Sequence, residues 1–210
     1  MKSSPPRNRR ADARRSRAAI LDAATQVLNV DPDAGLETIA GAAGVTRPTI
    51  YAHFPSREQL LLAVVERITN EAVAAMDDIA LDADTATDTL LRMIDASAQV
   101  TERYPVLLKM ISAQPVSAEA DRDRHLPVTD RIGRVIERGQ QAGEFDDRLP
   151  VDWLVASTMA LGHTASTEQD AGRLPAAVAR DALRTSLLRL LGASDSAGAS
   201  RRSQPAKQSK

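Results

Sequence analysis

No cysteine occurs among the 210 residues, which excludes disulfides, thiolate metal sites and a cysteine nucleophile. Aromatic side chains are almost as scarce: two Phe, two Tyr and one Trp are too few for the cage that lipophilic cations favour. No apolar run is long enough to span a membrane, and the basic start MKSSPPRNRRADARRSRAA lacks the apolar stretch of a secretory signal. A cytoplasmic protein is therefore expected. Strand-like alternation is missing as well, since β-branched residues are scattered among Ala and Leu at helical spacing, so the fold class is all-α. The three histidines, His53, His125 and His163, lie far apart without zinc-site spacing. Neither a Walker A loop, a G-x-G-x-x-G run nor a nucleophile elbow is present. No metal, cofactor or catalytic residue is expected, although a dyad assembled from distant residues would leave no sequence signature.

What is present is a chain that is 43% hydrophobic, enough for one large core with, at most, a small satellite domain. The net charge of -1 conceals an uneven distribution: residues 1–18 carry +6, residues 192–210 carry +3, and the body between them carries -10. A basic arm on an acidic body suits local contact with a polyanion, while short basic tails are also found merely solvated. Arg7, Arg9, Arg10, Arg14, Arg15 and Arg17 precede the first apolar helix, and with Pro5 and Pro6 nearby, residues 1–16 read as a disordered arm. Residues 192–210 read as a disordered tail.

Between these ends the spacing predicts a series of helices. Ile20, Ala23, Ala24, Val27 and Leu28 share one face over 17–29, and the segment DPDAG breaks the pattern. Leu36, Ile39, Ala40 and Ala43 mark a short second helix, which Gly44 stops. Thr46 opens a third that Pro55 ends. Ser56 and Gln59 form a capping-box start for a long helix to about Met76. Further helices are expected before Tyr104-Pro105, over 106–113, from Val128 to about Gly143, and over 150–167 and 175–191, with 114–127 mixing loop and frayed helix.

LETIAGAAGVTRPTIYAHF has the physical requirements of a helix-turn-helix. Ala40 and Ala43 let two backbones approach, Gly44 tolerates a left-handed turn, and Val45 and Ile50 face inward. Thr46 can cap the second helix, whose first turn tolerates Pro48. Thr46, Arg47 and Thr49 are left on the outer, N-terminal face, where a recognition helix meets the major groove. Arg47 can donate two hydrogen bonds to a guanine edge. Hydroxyls, the Tyr51 phenol and the Arg57 guanidinium suit phosphates. Such a turn between two short helices also occurs in ordinary helical hairpins.

The run ILDAATQVL followed by LETIAGAAGVTRPTIYAHFPSREQLLLAVVERI resembles the N-terminal domain of the TetR family of bacterial repressors over residues 17–70. The resemblance rests on Ile39-Ala40, Ala43-Gly44-Val45, Thr49-x-Tyr51-x-His53-Phe54 and Ser56-Arg57-Glu58 taken together. Three positions depart from the usual pattern: Val27-Leu28 stands for a frequent Leu-Phe, Pro48 for a frequent Gly, and Arg57 for the usual Lys. The resemblance implies a repressor whose residues 17–55 bind operator DNA as a homodimer, with Thr46, Arg47, Pro48, Thr49, Tyr51, His53 and Arg57 at the DNA. His53 reads equally as a packing residue at the helix end. Phe54 is assigned to the core.

Residues 56–191 then form an effector-binding and dimerisation domain. The helices at 150–167 and 175–191 are expected to pair with those of a second copy. VDWLVASTMALGHT is apolar nearly all round and should be buried on more than one side. Met93, Tyr104, Leu107, Met110, Trp153 and His163 are candidates to line a pocket for an aliphatic or modestly polar effector. An architectural DNA-binding module is the rival reading, distinguished by coating DNA without sequence preference.

Overall fold

In a computed structural model, residues 6–80, 85–112 and 117–193 are described, and all regular structure among them is helical. In chain order the helices are α1 (Pro6–Leu28), α2 (Leu36–Ala42), α3 (Arg47–His53), α4 (Arg57–Ala80), α5 (Ala86–Thr101), α6 (Pro105–Ser112), α7 (Ala118–Gln141), α8 (Val151–Asp170) and α9 (Ala176–Leu190). None of them is long and apolar enough to cross a membrane.

Local chemistry sets the helix ends. The Ser56 hydroxyl accepts the Gln59 amide at 3.2 Å at the start of α4, and the Thr85 hydroxyl accepts the Asp88 amide at 3.0 Å at the start of α5. Ser117 does the same for Ala120 at 3.1 Å, satisfying first-turn donors that have no helical acceptor. This last cap corrects the expectation for 114–127: a helix runs from Ala118 straight through Pro127. Residues 113–116 lie outside the described ones.

Two compact units result. The first comprises the chain up to Asp77 together with Asp95–Pro127. Its core is built around Ile20, Leu28, Ile39, Ile50 and Leu60, all fully buried. Where α1 ends, Asn29 ties it to α6: its amide donates to the Arg103 carbonyl at 3.1 Å and its side-chain oxygen accepts the Leu107 amide at 3.3 Å.

α1 departs most from expectation. Over residues 6–16 it is helical, so the reading of 1–16 as a disordered arm is corrected for that stretch. The segment lacks apolar periodicity but is rich in Ala and Arg, both strong helix formers, and Pro6 occupies the first helical position, where no amide is needed. Residues 1–5 and the expected tail over 194–210 lie outside the described residues.

The second unit comprises Asp78–Ile94 and Val128 onward. α8 and α9 pack on each other along their length, with Leu91, Leu187 and Leu188 buried among Ile94, Leu161 and Leu183. The Glu144 carboxylate caps α5 by accepting the Ala86 and Thr87 amides at 3.0 and 3.1 Å. Arg138 donates to the buried Thr89 hydroxyl at 2.6 Å. Gly139 lies directly beneath the buried Phe145 ring, with no room for a Cβ.

Candidate nucleic-acid interface

α2 and α3 are joined by the turn at 43–46. Ile39, Ala40 and Ile50 are buried beneath it, which holds the two short helices against α1. Gly44 has φ +64°, and a Cβ there would meet open space. Glycine is therefore required by the backbone conformation and not by crowding. The Val45 amide reaches back to the Ala40 carbonyl at 3.0 Å and that of Gly44 to Gly41 at 3.2 Å, closing the end of α2 in the manner of a left-handed C-cap.

Thr46 begins α3 in an extended conformation, but its hydroxyl makes no capping bond. The N-cap expectation is corrected for a simple reason. A cap bonds the second or third amide of the helix; the second residue is Pro48, which has none, and the third amide, of Thr49, already donates to the Thr46 carbonyl at 2.9 Å. The Thr46 hydroxyl pairs instead with that of Thr49, 2.8 Å away.

The outer face of α3 presents Arg47, Pro48 and Tyr51 to solvent. Arg47 and Tyr51 are one turn apart, and the guanidinium lies 5.6 Å from the ring centroid. The same guanidinium is held 2.7 Å from the Glu37 carboxylate of α2, with the two side chains 67% and 61% exposed. An ion pair this exposed is screened by water and holds Arg47 only weakly. His53 is half-buried, its ring 6.4 Å from that of Phe54 and tilted to it. Phe54 is in the core as expected. Over its face lies the Arg17 guanidinium of α1, 5.4 Å from the centroid.

Arg57, expected at a phosphate, is turned inward. It donates to the carbonyls of Pro32 and, at 3.3 Å, Ala34, and it lies 3.6 Å from the Met110 sulfur. It braces the loop that enters α2.

Known proteins resemble this chain in sequence and in fold. The family described as bacterial regulatory proteins, tetR family, matches residues 20–64. The HTH-type transcriptional repressor LfrR of Mycolicibacterium smegmatis is 30% identical over 142 residues, covering 66% of this chain and 71% of that protein. The chain belongs to the TetR family. The HTH-type transcriptional regulator EthR of Mycobacterium tuberculosis is 38% identical over 77 residues, about a third of each chain. The crystal structure of LfrR in complex with proflavine aligns with a TM-score of 0.60 at 28% identity, over 83% of this chain and 94% of that one. Like its relatives, this TetR-family chain is a helix-turn-helix transcriptional regulator.

The TetR-family resemblance drew attention to α3 but not to Glu37 or Arg17. Glu37 is the one acid of α2 and sits at its exposed first turn, a signal that was available in LETIA. The stacking of Arg17 on Phe54 had none, because the two are far apart in sequence. The six residues expected around an effector are divided. Tyr104, Leu107 and Met110 belong to the first unit: Leu107 is fully buried, Met110 packs near Arg57, and the Tyr104 phenol donates to Glu71 at 3.3 Å. Burial, then the neighbouring Glu71 carboxylate, raises the Tyr104 phenol above its ordinary value. Met93, Trp153 and His163 belong to the second unit. Met93 is buried there, whereas Trp153 is 60% exposed and His163 is also at the surface. Trp153 is thus a surface residue of the single chain, and an apolar residue type alone did not distinguish core from surface. Nor is α8 buried on several sides within one chain, since only Leu154 and Thr158 are fully covered.

Proposed function

We propose that this regulator is a repressor that binds a palindromic operator as a homodimer and releases it when a small-molecule effector binds. The observation that carries the reading is the outward donor set of α3, held on a buried platform formed by α1 and α2. Arg47 donates to a guanine edge once Glu37 releases it. Thr46 and Thr49, beside Pro48 at the tip of the helix, reach base edges or phosphates. Tyr51 and His53 supply phosphate donors that set the orientation. Arg57 acts by fixing the α1–α2 loop. Residues 17–55 are the DNA-reading part, and the rest of the chain to 191 senses and dimerises.

The occupant of the exposed α8–α9 face is a second copy of the chain. Trp153, Ala156 and Ala160 of α8 and Val178 and Ala182 of α9 are all exposed in one protomer, and small side chains of this kind permit close helix packing across a symmetric interface. The repressor sense is supported by the printed description of LfrR. Its proflavine does not carry over directly. Here Phe145 is occupied against Gly139, Tyr104 is bonded to Glu71 and Trp153 is at the surface, so an aliphatic or modestly polar effector fits better than a planar aromatic cation. The protein acts in the cytoplasm.

The test is selection of DNA from a random duplex pool by the full chain, followed by footprinting and a thermal-shift screen of metabolites. One or a few palindromes, released by a stabilising metabolite, are the expected result. Coating of every duplex without preference would show an architectural protein instead.

A further inference from the structure

α1 begins at Pro6, although its first fully buried side chain is Ile20. The intervening turns carry Arg7, Arg9, Arg10, Arg14, Arg15 and Arg17 against a single acid, Asp12. Arg10, Arg14 and Arg17 recur at the four-and-three spacing that aligns side chains along one helix face, and all three are exposed. Asp12 is engaged by Arg15, away from that stripe. Arg17 closes one end of the stripe by stacking on Phe54, the residue that terminates α3. His53, whose ring lies 6.4 Å from that of Phe54, is therefore a near neighbour of the stripe. The groove beside it is lined on the α4 side by Glu66 and by Arg67, which is paired with Asp22, so one acid faces Arg14 and Arg17 there and the net positive charge still lies on α1.

We propose that this N-terminal extension of α1 is a second DNA-binding element, a preformed cationic helix that runs along the phosphate backbone flanking the half-site read by α3. The inference rests on the DNA-binding reading and adds a contact to it. A flexible basic strand could enter the minor groove, but a helix with its side chains is about 10–12 Å across and the groove is roughly 6 Å wide. A helical arm therefore stays on the backbone. Arg10 and Arg14 are about 6 Å apart along the helix axis, a spacing that lets each meet a different phosphate of one strand. Contacts of this kind add affinity and salt dependence, but no sequence information.

The experiment uses the full chain and a duplex selected by the wild-type protein, alongside a random duplex of equal length. Binding is measured by fluorescence anisotropy across a salt titration. Three proteins are compared: wild type, the double variant Arg10→Gln with Arg14→Gln, and Ala13→Pro, which breaks the helix without changing its charge. The double variant should lose up to about 1.8 from the magnitude of the salt slope per protomer, with equal losses on both duplexes. Its disadvantage should grow about tenfold per protomer when salt is lowered fourfold. Ala13→Pro should reproduce most of the affinity loss while circular dichroism shows the rest of the helix content intact. Equal slopes for wild type and the double variant would overturn the contact, and full affinity in Ala13→Pro would overturn its helical form. If the wild-type protein selected no sequence at all, the DNA-reading assignment itself would fail, together with the extension.

Discussion

The two exposed faces that matter in this molecule are built from opposite chemistries. The face of α3 is made of directional groups that already lean on one another: Arg47 on Glu37 and Tyr51, Thr46 on Thr49. The face of α8 and α9 is dominated by Trp153, Val178 and small alanines, with Asp181 one turn on from Val178. Hydrogen-bonding groups at the first face match an anionic partner whose edges carry donors and acceptors, while the second, mostly apolar, gains from a well-fitting apolar surface. A regulator needs both, because a reading helix of seven residues covers too little DNA to be selective unless symmetry doubles it.

The strongest way to break this comparison is to put charge on the apolar face. Trp153→Asp with Val178→Asp should convert the proposed dimer to a folded monomer in sedimentation and lower operator affinity by about two orders of magnitude, the loss expected when one of two linked half-sites goes. A variant that stayed dimeric would relocate the interface. On the reading face, Arg47→Ala should cost roughly 1–3 kcal/mol on the operator and much less on random DNA. Arg57→Ala should instead lower the melting temperature and weaken both duplexes alike, because it braces a loop. Equal losses for Arg47→Ala on the two duplexes would remove it from base readout. Glu37→Gln sharpens the same point: with its guanidinium released, Arg47 should bind random DNA more tightly and discriminate less.

Stability predictions separate the regions by packing and not by ligand. Gly139→Ala would place a methyl 2.2 Å from the Phe145 ring, and relieving that overlap should destabilise the protein by about 1–3 kcal/mol. Gly44→Ala meets no atom and carries only the left-handed backbone penalty, about 1–2 kcal/mol. Melting temperatures that ranked the two in reverse order would show that the Phe145 ring moves aside easily.

The helix-turn-helix was legible because its punctuation is written in residue types: Gly44 for a positive φ, Pro48 where no amide is needed, Ile39 and Ile50 facing the core. The start of α1 was not, since exposed Ala and Arg have helix propensity without apolar rhythm. Pro127 was read as a boundary, but Ser117 supplies an earlier cap and the helix carries the proline inside it. Arg57 escaped for a different reason. Its partners are backbone carbonyls, which every residue possesses, so no sequence pattern could announce them. The α8 segment, expected to be buried on more than one side, is covered in the single chain only at Leu154 and Thr158, because apolar composition does not say which sides the same chain covers.

The smallest expected effect belongs to Glu144, which caps α5 in the second unit. Burial by itself would raise its carboxyl, yet the Ala86 and Thr87 amides, the Thr87 hydroxyl and the nearby Arg138 outweigh that and hold it below the ordinary value. A carboxylate whose folded value is depressed contributes stability that is fully present above its unfolded value near 4.5 and is lost as pH falls through the folded value. Glu144→Gln keeps one acceptor and removes the charge, so at neutral pH it should lower stability by about 0.5–1 kcal/mol, the low end of a cap deletion. The difference in melting temperature between wild type and variant should stay constant from pH 8 to about 5 and shrink below about 4.5. Asp146, held at about 2 by hydrogen bonds from Arg148, is common to both proteins and cancels in the difference. Operator affinity at neutral pH should not change, because the cap serves the unit opposite in character to the reading face. A gap in melting temperature that persisted unchanged to pH 3 would mean that the charge of Glu144 contributes nothing, and that its two amide bonds hold equally well to a neutral acceptor.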